Sequence, residues 1–157
     1  MTAVIFSRKL SWSLPQAEAE KLGSEFLLWK NDGIGPGDFF GKHTGFMRPP
    51  SVVRLGLRKV HLETDDVSDA WTQKLERGEE NPLKFTSDKV LVYGRLEDMR
   101  HTPYLLLTIL EPAHDQMEEP EVVRNLGVFF ETERDAIGKY FPSSEWVSFG
   151  FPEPSDS

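Results

Sequence analysis

A chain of 157 residues, 38% apolar and 28% charged, is sized for one folded domain and is too short for two that each bury a substantial core. It has no cysteine, which excludes a disulfide framework and thiolate metal sites and fits a reducing compartment. No apolar run reaches the roughly 18 residues of a membrane span, and MTAVIFSRKL at the start lacks the features of a secretion signal, so a cytoplasmic protein without a membrane partner is expected.

The net charge of -8 argues against nucleic acid as a partner, because phosphate is bound by Lys and Arg. The charge is unevenly spread, however. Phe39 to Leu62 contains no Asp or Glu but holds Lys42, His43, Arg48, Arg54, Arg58, Lys59 and His61. The acids gather in Glu63 to Glu80 and Glu111 to Asp135, so a two-faced molecule is expected.

In chain order, residues 1 to 12 include an alternating run, Ala3 to Phe6, that suits a short edge strand or an ordered arm. Ser13, Pro15 and Gln16 read as a helix start with a capping box. That helix extends to about Lys30, with Leu22, Phe26 and Trp29 on its buried stripe and Asn31-Asp32-Gly33 to end it. Gly33 to Pro50 carries five Gly and three Pro and is expected to be a loop pinned by Phe39, Phe40 and Phe46. Val53, Leu55 and Leu57 alternate with Arg54, Gly56 and Arg58, which predicts a strand with one basic face. A period slip before Val60 suggests a bulge near Arg58-Lys59.

Beyond an acidic stretch, the spacing predicts a short helix over Ala70 to Arg77 capped by Ser68, then strands at Leu83 to Phe85 and Lys89 to Leu96. Tyr104 to Leu110 is almost wholly apolar, as a central strand should be. Pro120 opens a last helix whose buried face is Val123, Leu126, Phe130 and Ile137. The Pro- and Ser-containing tail, 141–157, reads as extended, with Trp146, Phe149 and Phe151 able to dock.

Five collinear strings, Phe26 to Gly33 (FLLWKNDG), Pro36 to Gly41 (PGDFFG), Val60-His61-Leu62, Ser87 to Gly94 (SDKVLVYG) and Tyr104 to Pro112 (YLLLTILEP), resemble the YafO family of type II toxin-antitoxin toxins, which belong with the RelE-like ribonucleases. The resemblance covers about Ser13 to Ile137 and implies an α+β fold, a curved antiparallel sheet packed by N-terminal and C-terminal helices, in a single domain expected over residues 1–140. It also implies a ribosome-dependent endoribonuclease (mRNA interferase) that inhibits translation, with messenger RNA and the ribosome as partners and a cognate antitoxin to neutralise it. Such cleavage needs no metal or other cofactor, because the RNA supplies its own 2′-OH nucleophile. The acidic balance and the enlarged acidic segment around Asp65 to Glu80 depart from that family's pattern. A non-catalytic protein that inhibits translation or replication through its basic surface is the alternative.

Metal-free cleavage requires a base, an acid and positive charge around the phosphorus. Of the four histidines, His61 lies in a matching string beside Arg58 and Lys59, with parity opposite to Val60 and Leu62, and His114 directly follows the predicted core strand. These are the acid and base candidates, with Arg58 and Lys59 in the catalytic set and Asp115 as a neighbour able to hold an imidazole. Arg54, Arg58 and Lys59 are the primary phosphate contacts, supported by Arg48 and Lys42. Tyr93 either stacks on a base or packs in the core. His43 and His101 are expected at the surface. No GxxxxGK[ST], HExxH, GxSxG or paired CxxC motif occurs, and Glu63, Asp65, Asp66 and Asp69 read as solvated acids rather than a metal site.

Overall fold

The computed structural model describes residues 2–33 and 39–152. Its class is α+β: among the described residues six helices flank a six-stranded, mixed, open sheet of order β2-β3-β4-β5-β1-β6. The strands are β1 (Val4–Phe6), β2 (Phe40–Gly45), β3 (Arg58–Leu62), β4 (Val90–Arg95), β5 (Tyr104–Leu110) and β6 (Ser148–Phe149). All neighbouring strands run antiparallel except β1, which lies parallel to β5.

The helices are α1 (Arg8–Ser13), α2 (Gln16–Asp32), α3 (Pro50–Arg54), α4 (Asp65–Glu76), α5 (Ala113–Glu118) and α6 (Pro120–Tyr140). Helix α2 covers one face of the sheet, where Ala19, Leu22 and Phe26 join Val60, Leu62, Leu91, Tyr93 and Leu106 in one apolar cluster. Helix α6 covers the other, where Val123, Leu126, Phe130 and Ile137 pack on Val90, Val92, Leu105 and Leu107. The central strands are therefore buried on both sides, which is why Tyr104 to Leu110 reads as a continuous apolar run.

Several elements differ from the expectations above, each for a local reason. The first strand is interior to the sheet, between β5 and the two-residue β6. Ser13 is the last residue of α1, where its hydroxyl donates to the Leu10 carbonyl. The capping serine is Ser7, whose Oγ accepts from Leu10 N at 3.1 Å and donates to the Leu107 carbonyl at 2.6 Å. Helix α2 follows Pro15 without a side-chain cap and ends, as the sequence predicts, at Gly33 in the left-handed conformation.

The Gly-rich segment contains strand β2, and residues 34–38 of the expected loop lie outside the described residues. Gly41 permits this edge strand: a Cβ there would stand 2.3 Å from the Phe85 carbonyl oxygen, and Lys42 N donates to that same oxygen at 2.7 Å. The alternating Val53 to Leu57 is not a strand. Pro49-Pro50 starts helix α3 there instead, and Gly56 (φ 70°) turns the chain into β3. Nor does β3 contain a bulge. Leu57, Lys59 and His61 share one parity toward the α6 side, and Arg58, Val60 and Leu62 share the other, so a strand with core on both faces only resembles a slipped one.

Helix α4 begins earlier than predicted, at Asp65, and Ser68 Oγ donates to Glu63 Oε2 rather than capping. Leu83 belongs to a 3₁₀ turn, Pro82–Lys84, capped by Asn81. His114, just past the core strand, lies in α5. Beyond Phe141 the chain docks: Trp146 is buried, Phe149 in β6 packs on Phe6 at 5.6 Å, and Phe151 packs on Phe141.

An ion pair between a buried carboxylate and a partly exposed guanidinium ties the ends of the fold together. Glu133 on α6 accepts from the Arg8 backbone N–H at 2.9 Å and from its guanidinium at 2.6 Å, and is itself only 2% exposed. Burial lowers the Arg8 pKa by less than the Glu133 hydrogen bond raises it, so the guanidinium is held firmly charged.

Candidate functional site

Strand β3 places consecutive basic side chains on opposite faces of the sheet, and each face opens into a cavity. On the α6 side, a basin of about 950 Å³ is lined by Lys42, Thr44, Lys59, His61, Ser87, Asp88 and His114, among others. Four of the eight nominated site residues, Lys42, Lys59, His61 and His114, meet there. They arrive from β2, β3 and α5 because Thr44 pairs with Lys59 and His61 with Val90 in the ladder, while β5 delivers the chain to α5 at its end.

The Ser87-Asp88 dipeptide contacts the His61 ring and the backbone of His114. His61 Nδ1 lies 2.7 Å from the Ser87 carbonyl oxygen and 2.9 Å from the Ser87 amide nitrogen. The Ser87 N–H donates to Nδ1 in the tautomer that carries its proton on Nε2, whereas in the other tautomer Nδ1–H donates to the Ser87 carbonyl and Nε2 carries the lone pair. Asp88 acts on the other histidine: its Oδ1 accepts from His114 N at 2.8 Å, and its carbonyl accepts from Ala113 N at 2.9 Å. The Ser87 hydroxyl donates to the Leu62 carbonyl at 2.6 Å, fixing the dipeptide against β3. Neither residue was nominated from the sequence, although SDKVLVYG was among the matching strings. The signal available was that a Ser-Asp pair before a strand is well suited to local backbone capping.

Electrostatics keep His61 neutral. Burial lowers its pKa below the ordinary imidazole value, opposed by the Ser87 backbone contact and reinforced by Lys42, Lys59 and His114. Lys59, held over the Phe46 ring at 4.9 Å, is also lowered, by burial first and by Lys42 second. His114 stands at the exposed rim with Nε2 3.8 Å from Glu118 Oε1. Glu118, one helical turn on, is its acidic partner in place of Asp115.

The remaining nominated residues lie elsewhere. Arg58 and Tyr93 are paired in the β3-β4 ladder and open onto the opposite, α2 face. Tyr93 is fully buried, the core fate that its sequence context allowed. Arg54 ends α3, exposed and outside both cavities. Arg48 lines a separate cleft with Met117, Glu118 and Arg124. His43, expected at the surface, is half-buried on the Arg58 side, whereas His101 is exposed in a turn as expected. Among the described residues no group of three or more His, Asp or Glu side chains is placed to hold a metal ion, so the Glu63, Asp65, Asp66 and Asp69 cluster does not converge.

The fold and basin define a class: a small α+β protein with two histidines and two lysines gathered beside an open sheet. Residues 27–132 match the family of toxin YafO, type II toxin-antitoxin system. The chain belongs to that family, and the membership implies a cognate antitoxin as partner. Comparison with curated proteins and with solved structures gives no match. Among the described residues no helix is long and apolar enough to cross a membrane.

Proposed function

We propose that this toxin is a ribosome-dependent endoribonuclease of the cytoplasm that cleaves messenger RNA by attack of a 2′-OH, with the basin on the α6 face as its active site. The observation that carries the reading is the convergence of His61 and His114 beside Lys42 and Lys59, both histidines contacted by one dipeptide, Ser87-Asp88. In the tautomer whose Nδ1–H donates to the Ser87 carbonyl, the neutral His61 imidazole is suited to act as general base through Nε2.

In this scheme His61 takes the 2′-OH proton, the 2′ oxygen attacks phosphorus, and the bond to the 5′ oxygen breaks. His114 at the rim returns a proton to the departing oxygen, giving a 2′,3′-cyclic phosphate and a 5′-OH. Lys42 and Lys59 stabilise the charge that develops on the phosphorane, where preorganised cations act most strongly. Arg58 has no place in this basin, since it points to the other face of β3. The acidic clusters lie largely outside the basin, whose lining includes Asp88 as its one carboxylate among the described residues.

Induced expression followed by mapping of messenger 5′ ends, with and without active translation, tests the reading. Cuts confined to translated messages, and abolished by His61→Ala in a protein that still folds, are expected. Growth arrest with intact transcripts would overturn it in favour of a protein that inhibits translation or replication by binding alone.

A further inference from the structure

The cavity on the α2 face is built differently from the proposed active site. It has a volume of about 300 Å³ and is lined by Lys30, His43, Arg58, Tyr93, Arg95 and Tyr104, with Leu55, Gly56, Gly94 and Glu97 completing it. Three cations reach it from three elements: Lys30 from α2, Arg58 from β3 and Arg95 from β4. Among the described residues none of the three forms an ion pair, and Glu97 is the sole carboxylate in the lining.

Arg58 and Arg95 are exposed, whereas Lys30 is half-buried. The Lys30 ammonium sits 3.8 Å from the centre of the Trp29 ring and 3.4 Å from the Tyr93 hydroxyl. Its pKa is lowered to about 8, by burial first and then by Arg58 and Arg95. His43 is lowered too, by burial and then by Lys30 and Arg58, and its buried Nδ1 has no hydrogen-bond partner among the described residues. The fold thus holds like charges together, an arrangement that a bound anion would relieve.

We propose that this cavity is a second anion site, which binds a phosphate group through Lys30, Arg58 and Arg95. Phosphate fits the donor set better than carboxylate, because cations on three elements match a tetrahedral group with several charged oxygens, whereas one guanidinium fork satisfies a planar carboxylate. The aromatic rings are already occupied. Tyr93 and Tyr104 pack on Phe26 at 5.2 and 5.3 Å, and Arg95 lies over Tyr104 at 5.1 Å, so the site reads phosphate and not the base. The phosphate is either free or part of an RNA backbone, and the inference does not depend on the nuclease reading.

The histidines make the test local, since His43 reports this cavity while His61 and His114 report the other. Ring resonances of the full chain are followed by NMR against inorganic phosphate, a 2′-O-methyl RNA oligonucleotide that cannot be cleaved, and a glutamate-rich peptide. Phosphate is expected to shift His43 and to raise the Lys30 titration above about 8. Arg95→Gln, at an exposed position, and Lys30→Gln should each weaken this response about tenfold and leave those of His61 and His114 unchanged. An oligonucleotide effective well below the phosphate concentration identifies the RNA backbone as the source, and equal or weaker binding identifies free phosphate. The proposal is overturned if His43 and Lys30 do not respond up to ~10 mM phosphate, if the variants respond like wild type, or if the acidic peptide acts at lower concentration than either phosphate probe.

Discussion

The two faces of strand β3 show how one pleated strand separates two kinds of basic site. Lys59 and His61 face the α6 side, where a broad basin admits histidines from two elements. Arg58, one residue away, faces the α2 side, where a smaller cavity holds Lys30, Arg95 and His43 against aromatic rings. Both faces are basic, yet only the first places two histidines together with a backbone anchor for each. The difference teaches that a basic run in a strand is two surfaces, not one, because side chains alternate across the sheet.

The comparison is broken most directly at His61. Replacement by Ala is expected to reduce RNA cleavage by roughly 10²- to 10⁴-fold, measured as cut ends per translated message, while Arg58→Ala leaves the chemical step far less affected. Equal losses would mean that the faces do not divide the labour as proposed. The pH profile sharpens the point: because the folded state lowers the His61 pKa, cleavage by a neutral base should persist to pH values below the ordinary imidazole range before declining.

Glu133→Ala separates stability from either face. It removes the nearer carboxylate from the Arg8 guanidinium, leaving Glu145 at 3.7 Å, and removes the acceptor for the Arg8 backbone N–H, so a loss of about 2–4 kcal/mol is expected, below the full value for a buried pair because Arg8 is partly exposed. Denaturant unfolding measures it, and the His43 and His61 resonances of the folded fraction should stay in place.

Asp88→Ala acts on the α6 face through position. It removes the acceptor at the start of α5 and is expected to cost about 1 kcal/mol of stability, with a loss of turnover that Asp88→Asn, which keeps an acceptor oxygen, restores. Single-turnover cleavage beside thermal unfolding distinguishes this from simple destabilisation.

The smallest effect belongs to Lys30. Its folded pKa of about 8 lies below the unfolded value, so the unfolded chain binds more protons between the two. Stability should therefore rise with pH from about 8 toward 10. Because Lys30 is only half-buried, screening limits the gain to the order of 1 kcal/mol. Lys30→Met should flatten that rise, as read from denaturation midpoints across the pH range. The half-buried His43 and His61 act in the same direction at lower pH. With folded values below those of the unfolded chain, they lower stability as pH falls through the ordinary imidazole range.

Much of the fold was legible because its signals are local. The apolar stripe of α2, the central run of β5, the proline-led α6 and the Gly33 stop each depend on spacing or backbone preference within a few residues. The elements that were misread depend on partners far away. Val53 to Leu57 alternates like a strand but is held as a helix and turn, with Val52 buried against α6, and the Gly-rich β2 is a strand because β3 and Phe85 accept it.

The candidate site divides along the same line. By itself the sequence determined that Phe39 to Leu62 is basic, that His61 opposes Val60 and Leu62 in parity, and that His114 follows the core strand. Tertiary structure decided that His61 and His114 share a basin, that Ser87-Asp88 anchors them, and that Arg58 leaves it for a second cavity with Lys30 and His43. Periodicity within one segment fixes which way a side chain faces, but which segments meet across the sheet depends on strand order and on the helices packed over each face.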